Sequence, residues 1–166
     1  MYYKIEDFLK DWDYESKSTL KIFNALTNDS LNQKIYSEGR TLGFLGWHII
    51  STVGEMMNRT GLIIFTPDDN SDAPSEANVL AATYEKVAVE LVEEIKKKWK
   101  DESLKIEDDM YGEKWKRGVT LGALLGHQSH HRGQMTVLMR QAGLKVPGTY
   151  GPSKEEWIQM GMEPMK

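Results

Sequence analysis

The sequence predicts an all-α protein, a four-helix bundle, on two observations. Apolar residues recur at steps of three and four positions in four separate segments, the spacing that places them on one face of a helix. The stretches between these segments are rich in Gly, Pro, Asn and Asp, and four helices with connections of mixed length describe a bundle. Because no internal repeat and no change of composition divides the chain, residues 1–166 are expected to form a single domain.

The first two helices follow from this spacing and from their end signals. The apolar face of the first helix is formed by Ile5, Phe8, Leu9, Trp12, Ile22, Phe23 and Leu26. The Asn-Asp-Ser run at 28–30 should end it, and residues 31–36 are expected to form one further short turn. The second helix is expected from about Thr41 to Asn58, where Thr60 and Gly61 end it.

The second half of the chain supplies two more long helices. The acidic, proline-containing stretch 66–76 is expected to be a surface loop that leads into the third helix. The apolar face of that helix is formed by Leu80, Tyr84, Val87, Leu91, Ile95 and Trp99. The pattern breaks at 103–112, where at most a short extended piece at 104–106 is expected. The fourth helix is expected from about Val119 to Gln141, and 153–160 should add a short final helix.

Three glycines stand four positions apart at the start of the fourth helix: Gly118, Gly122 and Gly126. A glycine inside a helix costs about 1 kcal/mol relative to alanine, so a compensating use is expected. Two uses could offset the cost: close approach of a neighbouring helix, or room for a ligand against the backbone. Four-residue spacing makes one stripe of small residues, so close packing of a helix is the expectation.

Composition argues against several classes of function. The chain has no cysteine, which excludes disulfides, zinc–thiolate sites, iron–sulfur clusters and a cysteine nucleophile. The net charge is −4, and the densest basic run, 96–100, ends a glutamate-rich helix, so no nucleic-acid binding is expected. No signal-like start and no long apolar segment is present, so no membrane interaction and a cytoplasmic location are expected.

The histidines carry the strongest signal for chemistry. Of the four in the chain, His127, His130 and His131 lie within five residues, and two pairs, 127/131 and 127/130, have spacings that could grip one ion. On a helical wheel with Leu121 at zero, the apolar residues average about 310°, while His131, His127 and His130 lie at about 280°, 240° and 180°. The inward pair is therefore His127 with His131. The remaining histidine, His48, can complete a set of three only if the second and fourth helices are adjacent.

Two other metal-site patterns are disfavoured. The segment 127–131 nearly spells the zincin signature HExxH, but Gln128 stands where the general base belongs, and an amide has no useful basicity. A ferritin-like di-iron site requires Glu-x-x-His pairs, and the chain has none. Two residues are candidates to orient an imidazole or to act near the metal: Glu55, seven positions after His48, and Gln134, seven after His127. The alternative for both is an ordinary exposed helix position.

Two stretches resemble the DinB family of small bacterial proteins. These are 121–134, LGALLGHQSHHRGQ, which continues to 147, and 40–49, RTLGFLGWHI, which is similar to the first histidine helix of that family. The resemblance implies a DinB/YfiT-like bundle in which His48, His127 and His131 hold one divalent metal ion. Zinc and nickel suit imidazole best, and iron, cobalt and manganese are also compatible.

The resemblance further implies a homodimer and a metal-dependent enzyme that acts on a small molecule. The expected types are a thiol-dependent S-transferase, which would use a low-molecular-weight thiol, and a hydrolase. Two other classes stay open: a metal-binding protein whose ion only stabilises the bundle or senses supply, and a metal-free helical interaction module.

Overall fold

Four long helices and a small β-hairpin account for most of the protein, in a computed structural model that describes residues 1–68 and 71–164. In chain order the helices and strands are α1 (Ile5–Asn24), α2 (Leu42–Asn58), α3 (Ala77–Lys98), β1 (Glu107–Met110), β2 (Glu113–Lys116), α4 (Arg117–Gln141) and α5 (Lys154–Gln159). Two short 3₁₀ turns, Asp29–Asn32 and Asp101–Lys105, precede α2 and β1 respectively.

The long helices lie where the apolar spacing predicts them. Helix α2 begins one residue after Thr41, whose hydroxyl caps it by accepting from the backbone N–H of Phe44. Contacts join α2 to α4, α1 to α3, α1 to α4 and α2 to α3, so each helix packs against two others. The protein is therefore mostly helical, while the narrower description as a four-helix bundle stays a prediction.

The all-α prediction was wrong in one place, because β1 and β2 form a two-stranded antiparallel sheet. The expected extended piece at 104–106 belongs mostly to a 3₁₀ turn, and the strands follow it. Both turn residues, Tyr111 and Gly112, have positive φ, as the tight turns that suit two-residue hairpins require. The hairpin has charged faces, and Glu107 lies opposite Lys116, so it lacks the alternation of apolar residues by which strands are recognised.

Polar core contacts set the relative position of α2 and α4. The side chain of Gln128 is fully buried; its amide nitrogen donates to the carbonyl of Ile49, and its amide oxygen accepts from the hydroxyl of Tyr84. These contacts are 3.0 Å and 2.9 Å long and join α4 to α2 and α3. Because buried polar groups are costly without partners, they favour a single alignment of the three helices.

The glycine stripe of α4 does not receive a neighbouring helix, so that expectation was wrong. A Cβ placed on Gly118 would lie 2.1 Å from the carbonyl oxygen of Tyr2, and the N–H of Tyr2 donates to the carbonyl of Gly118. The N-terminal segment therefore occupies the space. A Cβ on Gly126 would meet nothing within 4 Å.

The remaining expectations concern loops and the C-terminal tail. The part of 66–76 that the structure describes contains no helix or strand, and positions 69 and 70 lie outside the described residues. The expected final helix is present as α5, which Ser153 caps. No helix within the described ranges has the length and apolar character that crossing a bilayer requires.

Candidate metal centre

Three histidines from two helices converge on one point between α2 and α4. Nε2 of His127 lies 3.2 Å from Nε2 of His48 and 3.1 Å from Nε2 of His131. The three potential ligand atoms all lie within 4.8 Å of one another. His127 and His131 share a face of α4 because they are four residues apart, and the packing of α2 against α4 brings in His48.

The separation of these nitrogens fits a single divalent ion. Zinc–imidazole bonds of about 2.0–2.1 Å, at angles between about 90° and 110°, place two ligand nitrogens about 2.8–3.4 Å apart. The observed 3.1 Å and 3.2 Å fall inside this range. Two of the three histidine pairs therefore have the spacing of ligands to one metal ion, and all three potential ligand atoms lie within 4.8 Å of one another.

Hydrogen bonds on the opposite side of two imidazoles determine which nitrogen carries the proton. Nδ1 of His131 lies 2.7 Å from the amide oxygen of Gln134, which can only accept, so Nδ1 is the protonated nitrogen. The amide nitrogen of Gln134 lies 3.2 Å from Nε2 of His130, which supports this orientation of the amide.

His127 is held in the same tautomer by Thr52. The Thr52 hydroxyl donates to the carbonyl of His48 at 2.8 Å, so its oxygen is left to accept from Nδ1 of His127 at 3.4 Å. In both His127 and His131, Nε2 then carries a lone pair directed into the cluster. Metal-binding histidines usually donate their other N–H in this way, which fixes the ring and raises its basicity.

This arrangement leaves the contact between His127 and His131 without a proton. Two acceptor nitrogens that face each other at 3.1 Å repel unless a cation lies between them. Burial lowers the pKa of His131, whose side chain is only 5% exposed, and this disfavours its protonation. The hydrogen bond to Gln134 raises this pKa, while the charges of His48, His130 and Arg40 lower it further.

The histidine directions predicted from the helical wheel agree with the structure. His131 is buried, His127 is half-buried, and His130 is exposed and lies outside the cluster. His48, whose direction the wheel left open, is half-buried and completes the cluster. Gln128, the residue at the general-base position of the zincin pattern, points into the core.

The two candidate supporting residues have different surroundings. Gln134 contacts Nδ1 of His131 directly. The carboxylate of Glu55 accepts from Arg59 at 2.9 Å with one oxygen and from Tyr111 at 2.5 Å with the other. The structure therefore directs Glu55 towards the hairpin, and its expected role beside an imidazole stays a prediction.

Two contacts of the histidine cluster were missed in the sequence. Thr52 lies one helical turn after His48, a signal that could have identified it as a partner of the cluster. Phe44 lies one turn before His48, and the two rings stack with centroids 5.9 Å apart at an interplanar angle of 12°. Aromatic residues at helical spacing are common in cores, so this contact had no distinctive signal.

Comparisons with known proteins cover nearly the whole chain. The model of the DinB family matches residues 1–163. The protein YrdA of Bacillus subtilis (strain 168) is 41% identical over 166 residues, which are 100% of this chain and 99% of YrdA. The crystal structure of a DinB-like protein from Bacillus cereus ATCC 10987 is 42% identical, with a TM-score of 0.87 over 90% of this chain and 100% of that one.

A more distant structure supports the fold alone. The DinB-like protein YjoA of Bacillus subtilis is 20% identical, with a TM-score of 0.66 over 86% of this chain and 97% of YjoA. Taken with the family match over residues 1–163, these similarities show that the chain belongs to the DinB family.

Proposed function

We propose that this protein binds one divalent metal ion through Nε2 of His48, His127 and His131, and that it is a metal-dependent enzyme acting on a small molecule. One observation supports the proposal above all: Nε2 of His127 and Nε2 of His131 each direct a lone pair at the other. A divalent cation removes the repulsion, and the two Nδ1 hydrogen bonds orient both rings for it.

The composition of the ligand set favours catalysis over a purely structural role. Structural zinc sites are closed by four protein ligands, whereas catalytic sites have three and leave a position for substrate. Three histidines form the cluster within the described residues, and two of them, His48 and His127, are partly exposed. A small molecule can therefore reach the site from solvent.

The donor set also indicates the class of reaction. An ion bound by three neutral imidazoles keeps its full double charge and acts as a Lewis acid that activates a thiol or a water. An S-transferase that uses a low-molecular-weight thiol and a hydrolase both fit this chemistry. Zinc and nickel are the metals that we propose first, since both suit imidazole.

Metal content is the direct test. Protein purified without an affinity tag is expected to contain about one metal ion per chain by elemental analysis, by the stoichiometry of a single three-ligand site. The His131→Ala variant is expected to lose it, and the His130→Ala variant, altered at the exposed neighbour, is expected to keep it. No metal in the wild type, together with no thermal shift on adding zinc or nickel, would contradict the proposal.

Catalysis is tested separately from binding. Thiol consumption is measured with a panel of electrophiles for four samples. These are the wild type, the wild type after treatment with a chelator, His131→Ala and His130→Ala. We expect consumption to require both the metal and His131. A metal-loaded protein that consumes no thiol and hydrolyses no substrate in such panels would instead support a stabilising or sensing ion.

Self-association belongs to this proposal as a separate point. The expected homodimer follows from the family resemblance, and a helical protein of this size has exposed helix faces that could pair. Sedimentation equilibrium of the metal-loaded and chelated protein gives the number of chains directly.

A further inference from the structure

Arg40 lies at the outer end of a stack that begins at the histidine cluster. Its guanidinium carbon lies 5.0 Å from the centroid of the Phe44 ring, and the Phe44 ring stacks on His48. The stack runs from His48, a proposed metal ligand, through the ring of Phe44 to the guanidinium of Arg40 at the surface. Because the ring holds the guanidinium, Arg40 loses less freedom on binding a ligand than an unsupported surface side chain does.

Arg40 also differs from the other arginines of the chain. Of the five, Arg59, Arg117, Arg132 and Arg140 each form an ion pair with a carboxylate. In the described part of the chain, no carboxylate pairs with Arg40 and no hydrogen bond uses its guanidinium. Its donors are therefore available for a planar anion, which arginine binds with two parallel hydrogen bonds.

Arg40 lines a cavity of about 340 Å³ that extends to Gln134, the residue that contacts His131. The floor is apolar, formed by the buried side chains of Leu45 and Leu138, and Tyr36 stands exposed at the rim. Gln134, whose amide holds His131, lines the same cavity. An apolar pocket with a few converging polar groups is the usual form of a small-molecule site.

One acidic side chain limits the charge of the occupant. The carboxylate of Glu38 lines the cavity beside Arg40 and accepts a hydrogen bond of 2.5 Å from Ser37. Arg40 attracts an anion while Glu38 repels it, and this repulsion is larger for a dianion such as a phosphate monoester than for a monoanion. The pocket is therefore better matched to a carboxylate than to a phosphate.

We propose that this cavity binds a small molecule made of an apolar body and one carboxylate, and that Arg40 pairs with the carboxylate. The proposal rests on the proposed function in one respect, that this molecule is the substrate or co-substrate presented to the metal. Recognition of the carboxylate itself requires only Arg40 and the cavity.

The experiment compares an acid with its neutral analogue. 3-Phenylpropionate and 3-phenylpropan-1-ol are titrated separately into metal-free and zinc-loaded protein, and binding is followed by ¹H–¹⁵N chemical shifts. We expect the wild type to prefer the acid, and the Arg40→Gln variant to bind the acid about tenfold more weakly, the loss expected for one charge-assisted pair. Binding of the alcohol should change less than about twofold, since it has no anion for the guanidinium.

A matched control is available in Arg59. Its guanidinium also lies over an aromatic ring, 5.2 Å from the centroid of Tyr111, but it pairs with Glu55 and does not line the cavity. The Arg59→Gln variant should bind the acid as the wild type does. Equal affinity for acid and alcohol, or an acid preference that survives in Arg40→Gln, overturns the proposal.

The two proposals can fail independently. If zinc does not bind but metal-free protein prefers the acid through Arg40, the proposed metal function fails while the carboxylate site stands. If zinc binds normally in Arg40→Gln and neither form of the wild type distinguishes acid from alcohol, the carboxylate site fails while the metal centre stands.

Discussion

Replacing Gln134 with methionine isolates the contribution of the hydrogen bond that orients His131. Methionine keeps the length of the side chain and removes the oxygen that lies 2.7 Å from Nδ1. Loss of such a partner of a metal-binding histidine weakens metal affinity by about 10- to 100-fold. The helix should stay intact because position 134 is exposed and methionine favours helices.

The expected stability change follows from this loss of affinity. At a metal concentration about 100 times the wild-type Kd, binding stabilises the wild type by about 2.7 kcal/mol. At the same concentration, the Gln134→Met variant should gain only about 0.4–1.4 kcal/mol. One kcal/mol shifts Tm by about 2–4 °C in a domain of this size, so the metal-induced rise should fall from about 5–11 °C to about 1–6 °C.

The assay is thermal unfolding with and without zinc, combined with competition against a chelator of known affinity. Two controls separate the contact of the Gln134 amide oxygen with His131 from the contact of its amide nitrogen with His130. Gln134→Glu keeps an acceptor for Nδ1 and should bind zinc at least as tightly as the wild type. His130→Ala removes the partner of the amide nitrogen and the ring contact of His130 with His131, whose centroids are 4.8 Å apart, but it leaves the acceptor of Nδ1 in place and should have little effect on zinc affinity.

Unchanged zinc affinity in Gln134→Met would refute the reasoning, because Nδ1 of His131 would then need no acceptor. A loss of affinity in His130→Ala equal to that in Gln134→Met would also count against it. The orientation of the amide, and with it the assignment of the lone pairs, would have to be reversed.

Three further predictions concern protonation and packing. Burial lowers the pKa of His131 in the folded, metal-free protein below its ordinary value of 6.5. The stability that the neutral imidazole contributes is therefore present above pH 6.5, and it is lost as the pH falls through the lowered pKa of the folded state. Urea midpoints between pH 7.5 and 5.5 should show this loss, with a smaller change in His131→Ala. Gly118→Ala should destabilise by about 1–3 kcal/mol since its Cβ collides with backbone, whereas Gly126→Ala should stabilise by up to about 1 kcal/mol, both measured by urea unfolding. Gln128→Leu and Tyr84→Phe should each cost about 1–3 kcal/mol, and the double variant less than their sum, in a double-mutant cycle.

The amino-acid sequence alone determined the features that depend on helical periodicity. The positions of the long helices, the inward direction of His131 and the outward direction of His130 all follow from residues within one segment. These properties are local, because 3.6 residues per turn relates any two side chains of one helix without reference to the rest of the chain. The hairpin was not predicted because its charged strands lack a local apolar pattern.

Only the tertiary structure decided what the separate helices do together. His48 joins the cluster because α2 packs beside α4, and Thr52 and Gln134 then fix the tautomers of two rings. The N-terminal segment, and no helix, fills the space beside Gly118. Convergence of side chains distant in sequence depends on helix packing, and packing is set by the whole core, so no single segment of the chain contains it.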